Sequence, residues 1–200
     1  LEIIKSGKAQ SLINGPVSKK NFLGKKYPGV TEYISNKTKK TGKEVMLIYN
    51  ENLSVSPITT HIPVNKIARN ISTKKIINKI KTINDFYVKN LKFKPIIGVC
   101  GINPHCETNS KFNEEKNIIL PAIKILKNHK INVSGPYPAD TIFTKNNKKK
   151  FDVIIGMYHD QVLGPIKALY NFDAINITLG LPFLRVTPDH GPNHEMIGKN

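Results

Sequence analysis

Three histidines occupy matching places in this chain: the apolar run LSVSPITTH ends at His61, PIIGVCGINPH at His105 and FDVIIGMYH at His159. In a parallel α/β sheet the carboxyl ends of the strands share one edge, and ligands bind beyond it. Imidazoles delivered to that edge can converge. Neutral imidazole binds zinc and neighbouring divalent metals, and three protein ligands leave coordination positions open for substrate oxygens. The plainer reading of any one of them is a loop hydrogen-bonder; the recurrence is what points to a shared metal site. His129, in KNHK, reads as a surface residue. His190 and His194 belong to DHGPNHE, where metal-related and structural roles both stay open.

The stretch after His159, GPIKALYNFDAINITLGLPFLRV, is poor in charge except for Lys167, Asp173 and Arg185, and it also carries Asn176. An anionic substrate needs cations, and arginine offers a planar fork matched to phosphate or carboxylate where lysine supplies a point charge. Lys167, Asn176 and Arg185 are therefore candidates for holding such a group, against the alternative that the two cations are ordinary surface residues. Asp160, Asp140 and Asp189 are candidate partners for imidazole N–H groups, with capping and turn formation as the competing roles. No GxGxxG follows a strand, and neither GxxxxGK[ST] nor GxSxG occurs. Spacing alone thus shows no nucleotide and no serine nucleophile. Ser18 in GPVSKK reads as a helix cap, with Lys19 and Lys20 able to greet an anion at that terminus.

Strand-length apolar runs alternate with segments of helical period, which implies α/β architecture with a mainly parallel sheet flanked by helices. The expected strands are Gln10–Asn14, Glu44–Tyr49, Leu53–Thr60, Pro95–Gly101, Ile131–Ser134, Phe151–Tyr158 and Ala174–Leu179. Thr73–Leu91 and Glu114–Lys127 have apolar residues near a 3.6 spacing and read as amphipathic helices, with Pro121 a kink in the second. Glu114 and Glu115 at its start and Lys124 and Lys127 near its end complement the helix dipole. Lys145–Lys150 reads as a solvated loop.

The formal charge of +17, from 31 basic and 14 acidic residues, raises a nucleic-acid or membrane-surface partner. Its distribution argues against both. Arginine occurs only at Arg69 and Arg185, and from Phe151 to Gly198 two basic residues face five acidic ones. Nucleic-acid readers combine arginine with aromatic platforms. No apolar run approaches the roughly 20 residues that span a bilayer. Cys100 and Cys106 lie too close for a useful staple and form no CxxC pair, so a reduced, cytoplasmic setting is expected. Neither end reads as a natural domain edge, and the chain is taken as a fragment.

The motifs GPVSKK, TTHIPV, GINPHCE, GPYPADTIF, MYHDQVLGPIK and NITLGLPFLRVTPDHGP, in that order, cover essentially the whole chain. Together they resemble the 4-hydroxythreonine-4-phosphate dehydrogenase family of pyridoxal phosphate biosynthesis. The resemblance implies a fold like that of isocitrate and isopropylmalate dehydrogenases, a two-domain fold only partly present here. Residues 1–24 would be a remnant of the first α/β domain and 25–200 the metal- and substrate-binding domain. It further implies oxidation of 4-phosphooxy-L-threonine with NAD or NADP and a divalent metal (zinc, magnesium or cobalt). The metal would be held by His61, His105 and His159 contributed across a homodimer. Thr31, Lys167, Asn176 and Arg185 fall on the substrate contacts, and His159, Lys167 and Asp160 on the catalytic set. The partners implied are a small phosphorylated substrate and a second copy of the chain, with no nucleic acid and no membrane. Two departures stand out: Val30 in PGVTEY replaces a substrate-contacting histidine, and CETNSKFNEE replaces a glycine-rich stretch after His105. Val30 keeps open a sister activity on phosphoerythronate or phosphothreonate.

Overall fold

The computed structural model describes residues 1–17, 27, 29–108 and 110–191. Ser18, Lys19, Lys20 and His194 lie outside them. The chain divides into two compact units, one of Leu1–Ile48 with Phe172–Asn200 and one of Tyr49–Asn171.

In the second unit the strands are β3 (Ser54–Thr59), β4 (Ile97–Cys100), β5 (Val133–Tyr137) and β6 (Val153–Tyr158), in the spatial order β3, β6, β4, β5 and all parallel. β3, β4 and β6 are buried nearly throughout, as the Ile- and Val-rich runs required. Helix α2 (Thr73–Phe86) starts where Ser72 accepts the Lys75 N–H, the cap that a serine supplies best. Ile76, Ile80 and Ile83 along one face are fully buried, each stabilising by about 2 kcal/mol. The periodic run does continue to Leu91, but its last five residues form a wider turn of π type. Helix α3 (Leu120–Asn128) is likewise preceded by a π turn at Glu115–Ile119. Pro121 follows closely on that π turn, within helical backbone that runs on from Glu114 to Asn128.

The first unit holds β1 (Ser11–Ile13), β2 (Val45–Tyr49), β7 (Ile175–Leu179) and β8 (Leu184–Pro188), in the order β1, β8, β7, β2. β1 runs parallel to β8, and β7 pairs antiparallel with β8. Gly180 opens the turn between β7 and β8 with φ +80°, and a Cβ there would run into the Lys43 carbonyl. Only glycine fits.

Among the described residues, three longer elements escape the periodicity reading, besides the one-turn helices Glu2–Lys5, Ile67–Asn70 and Ala139–Ile142. β8 is hidden because Arg185 interrupts its apolar pattern. Helix α4 (His159–Tyr170) contains Gly164 and Pro165, which read as a turn. Helix α1 (Val30–Lys37) buries only Ile34 and Ser35 and shows little apolar stripe. Lys145–Lys148 forms one helical turn with no buried residue, where a loop was expected.

Candidate functional site

The second unit brings the three histidines to one sheet edge. β3, β6 and β4 are consecutive parallel neighbours, and His61, His159 and His105 each follow the carboxyl end of one of them. Thr59 of β3 is in register with Tyr158 of β6, and its hydroxyl donates to the Met157 carbonyl at 2.8 Å. That pairing places the His61 and His159 rings 5.8 Å apart between centroids, tilted by 40°. Two imidazoles on one tetrahedral ion at about 2 Å put their ring centres roughly 5 Å apart. The pair is thus near chelating separation.

His159 opens α4, and its Nδ1 lies 2.6 Å from the Asp160 carboxylate. A carboxylate on Nδ1 fixes the ring's orientation and leaves Nε2 as its other nitrogen, the arrangement common behind metal-bound histidine. Asp160 is itself 88% exposed. His105 sits apart, in the short turn Pro104–Cys106, exposed and with φ +54°, and Cys106 follows at φ +62°. Left-handed backbone at a residue with a Cβ costs about 1 kcal/mol or more. Among the described residues of a single chain, no three His, Cys, Asp or Glu side chains form a metal-sized cluster. Lys167 lies on α4 eight residues after His159, roughly 12 Å along the axis. Asp140 is exposed in the turn after β5.

Two residues behind this edge were not singled out as site residues by sequence reasoning. Gln161 is buried; its Oε1 accepts the Met157 N–H at 2.6 Å and its Nε2 donates to the Gly101 carbonyl at 2.8 Å. It ties the end of β6 to the end of β4. Glu115, read from sequence as a helix-dipole partner, is 2% exposed and accepts the N–H groups of Ile102 and Asn103, each at 2.8 Å, with Asn103 Nδ2 at 2.9 Å. Burial alone would raise its pKa, but these hydrogen bonds outweigh it and hold the carboxyl below its ordinary value. The available signal was an acidic residue on an otherwise apolar helical face. Burial pushes the Cys100 thiol up to about 12 and also raises that of Cys106, so neither is a ready thiolate.

The first unit holds Thr31, Asn176 and Arg185. Arg185 on β8 is 4% exposed; its Nε donates to Asn14 Oδ1 at 3.1 Å, and one terminal nitrogen donates to Thr31 Oγ1 at 3.0 Å and Thr178 Oγ1 at 2.9 Å. Burial lowers its pKa, and the nearby Glu32 charge acts the other way. Asn176 on β7 carries an Oδ1 that is closed to solvent and has no hydrogen-bond partner among the described residues. A buried carbonyl left so costs about 1–3 kcal/mol. Val30 begins α1, one residue before Thr31. His190 stacks edge-on against Phe172 and its Nδ1 lies 2.9 Å from the Gly191 carbonyl, while His129 caps α3 and is exposed.

Comparison with known proteins bears on these arrangements. A protein from Sulfurihydrogenibium sp. (strain YO3AOP1) named 4-hydroxythreonine-4-phosphate dehydrogenase is 43% identical over 198 residues, covering 96% of this chain and 60% of the relative. One from Oceanobacillus iheyensis, provisionally named a D-threonate 4-phosphate dehydrogenase, is 37% identical, covering 100% and 61%. The crystal structure of the 4-hydroxythreonine-4-phosphate dehydrogenase of Klebsiella pneumoniae matches with a TM-score of 0.82 at 33% identity, covering 100% of this chain and 62% of that one. At low identity the likeness of fold, and of fold alone, extends to a β-decarboxylating dehydrogenase. The chain spans about three fifths of the length of the curated relatives it matches. The family model for the pyridoxal phosphate biosynthetic protein PdxA matches residues 1–200, and the chain belongs to that family.

Proposed function

We propose that this chain carries the metal- and substrate-binding part of an NAD- or NADP-dependent oxidation of 4-phosphooxy-L-threonine. The product would be a β-keto acid that decarboxylates to 3-amino-2-oxopropyl phosphate, in pyridoxal phosphate biosynthesis. The observation that carries the reading is the approach of the His61 and His159 rings at the carboxyl ends of adjacent parallel strands.

His61 and His159 would hold a divalent ion (zinc, magnesium or cobalt), and His105 completes the set if the three histidines are shared across a homodimer. When bound, that ion lowers the pKa of a substrate hydroxyl and draws electrons from the carbonyl that replaces it. Asp160 holds the His159 ring in place and fixes its tautomer. Lys167 supplies a point charge to the substrate anion, as Arg185, set by Thr31, supplies a planar one. The unpartnered Asn176 carbonyl is an acceptor suited to a substrate hydroxyl or ammonium. Residues 1–24 would belong with a first domain that lies largely outside this chain. No described helix is long and apolar enough to cross a membrane, and the reaction suits the cytoplasm.

In the full-length protein, His159→Ala should abolish metal-dependent turnover with the fold intact by circular dichroism. Turnover that survives both the substitution and chelator would remove the metal from the reading. A second reading, oxidation of a phosphorylated hydroxy acid such as phosphothreonate or phosphoerythronate, is favoured by Val30 and by the Oceanobacillus relative. A substrate panel monitored for reduced nicotinamide separates the two.

A further inference from the structure

Glu115 spends a buried carboxylate on two consecutive residues of the chain that leads to His105. Its Oε1 takes the main-chain N–H of Ile102 and of Asn103, and its Oε2 takes the Asn103 side-chain amide, which also reaches Glu114 Oε2 at 3.0 Å. The turn then closes on itself: Cys106 N–H donates to the Asn103 carbonyl at 3.0 Å and Glu107 N–H to the Pro104 carbonyl at 3.1 Å. Inside it, His105 and Cys106 both hold left-handed backbone without being glycine. Such a conformation persists only where the surroundings over-determine it. The entry to the turn is fixed by charge-assisted bonds, the strongest of their kind. Gly101 completes the fit, since a Cβ there would lie 2.7 Å from Cys106 Sγ and 3.0 Å from Glu115 Oε1.

We propose that Glu115 is the positioning residue for His105: anchored on Ile102 and Asn103, it holds the turn in the one backbone form that presents this imidazole as a ligand. The inference rests on the reading of His105 as a metal ligand. A carboxylate that merely helped the helix pack would not need to meet three donors from a different segment, and would leave metal affinity alone.

Cobalt(II) titration of the full-length protein, followed through the visible d–d bands, tests it. Glu115→Ala should raise the dissociation constant about tenfold or more and shift the bands, the usual scale for losing a group that orients a ligand. Glu115→Gln keeps one carbonyl oxygen for both main-chain donors but faces the Asn103 amide with a second donor. It should fall between Ala and wild type. Should Glu115→Ala fail to fold, the Gln variant decides by the same measure. Wild-type affinity and bands in the Gln and Ala variants, beside a tenfold or greater loss in His105→Ala, would overturn the positioning role and leave the metal reading standing. Unchanged binding in His105→Ala would sink that reading, and the inference with it.

Discussion

Arg185 and the histidine edge make opposite use of burial. The guanidinium is almost wholly enclosed and gripped by three acceptors, Asn14, Thr31 and Thr178. The imidazoles of His61 and His105 are exposed, with that of His159 a third exposed, and the buried side chains at that edge, Gln161 and Glu115, bond to the backbone leading to them. A cation can be held this way because its many donors satisfy the polar groups around it. An imidazole that keeps a nitrogen outward has to be steadied from its other side, as the Asp160 carboxylate does at His159 Nδ1.

The largest effect expected from breaking this contrast is on stability at Arg185. Replacing it with alanine strands the buried Thr178 hydroxyl and the half-buried Asn14 and Thr31 acceptors and should cost about 3 kcal/mol in urea unfolding, whereas His61→Ala or His105→Ala should stay within about 0.5 kcal/mol. A similar cost for all three would erase the distinction. Next in size, Gln161→Leu removes the bond to Met157 N–H and the bond to the Gly101 carbonyl and should cost about 2 kcal/mol by the same measurement.

The smallest effect sharpens the comparison through pH. The Glu115 carboxyl titrates below its ordinary value in the folded chain, so its contribution is fully present above the unfolded value of about 4.3 and fades as pH falls through the folded one. Wild-type stability should therefore decline more steeply than that of Glu115→Gln below about pH 4.3. Parallel curves would show that the carboxylate's charge does not matter to the turn.

Much of the sheet could be read from the sequence because buried parallel strands are continuous apolar runs, as in FDVIIGMY and PIIGVC. The placement of the histidines followed, since a strand's end is legible where its apolar run stops. β8 was not legible: Arg185, the candidate substrate contact, also spoils the alternation that marks a strand. α4 was hidden by Gly164 and Pro165, although its first residue is His159 itself. Gln161 and Glu115 were unreadable as site residues for a different reason. Their meaning lies in partners 60 and 12 to 13 positions away, and no local pattern records such a pairing.

The π turn at Glu115–Ile119 sets the phase of everything that follows it. Glu115 and Ile119 lie on its buried side, and Ala122, Ile123 and Leu126 continue that side along α3. Deleting one residue within the turn would tighten it to ordinary helix and rotate Glu115 by roughly a quarter turn relative to those anchors. The acid would swing toward solvent while the apolar stripe stayed in place. Segment length here is therefore as much a part of the site as residue identity, and a homologue one residue shorter at this point would have to secure its third histidine by other means.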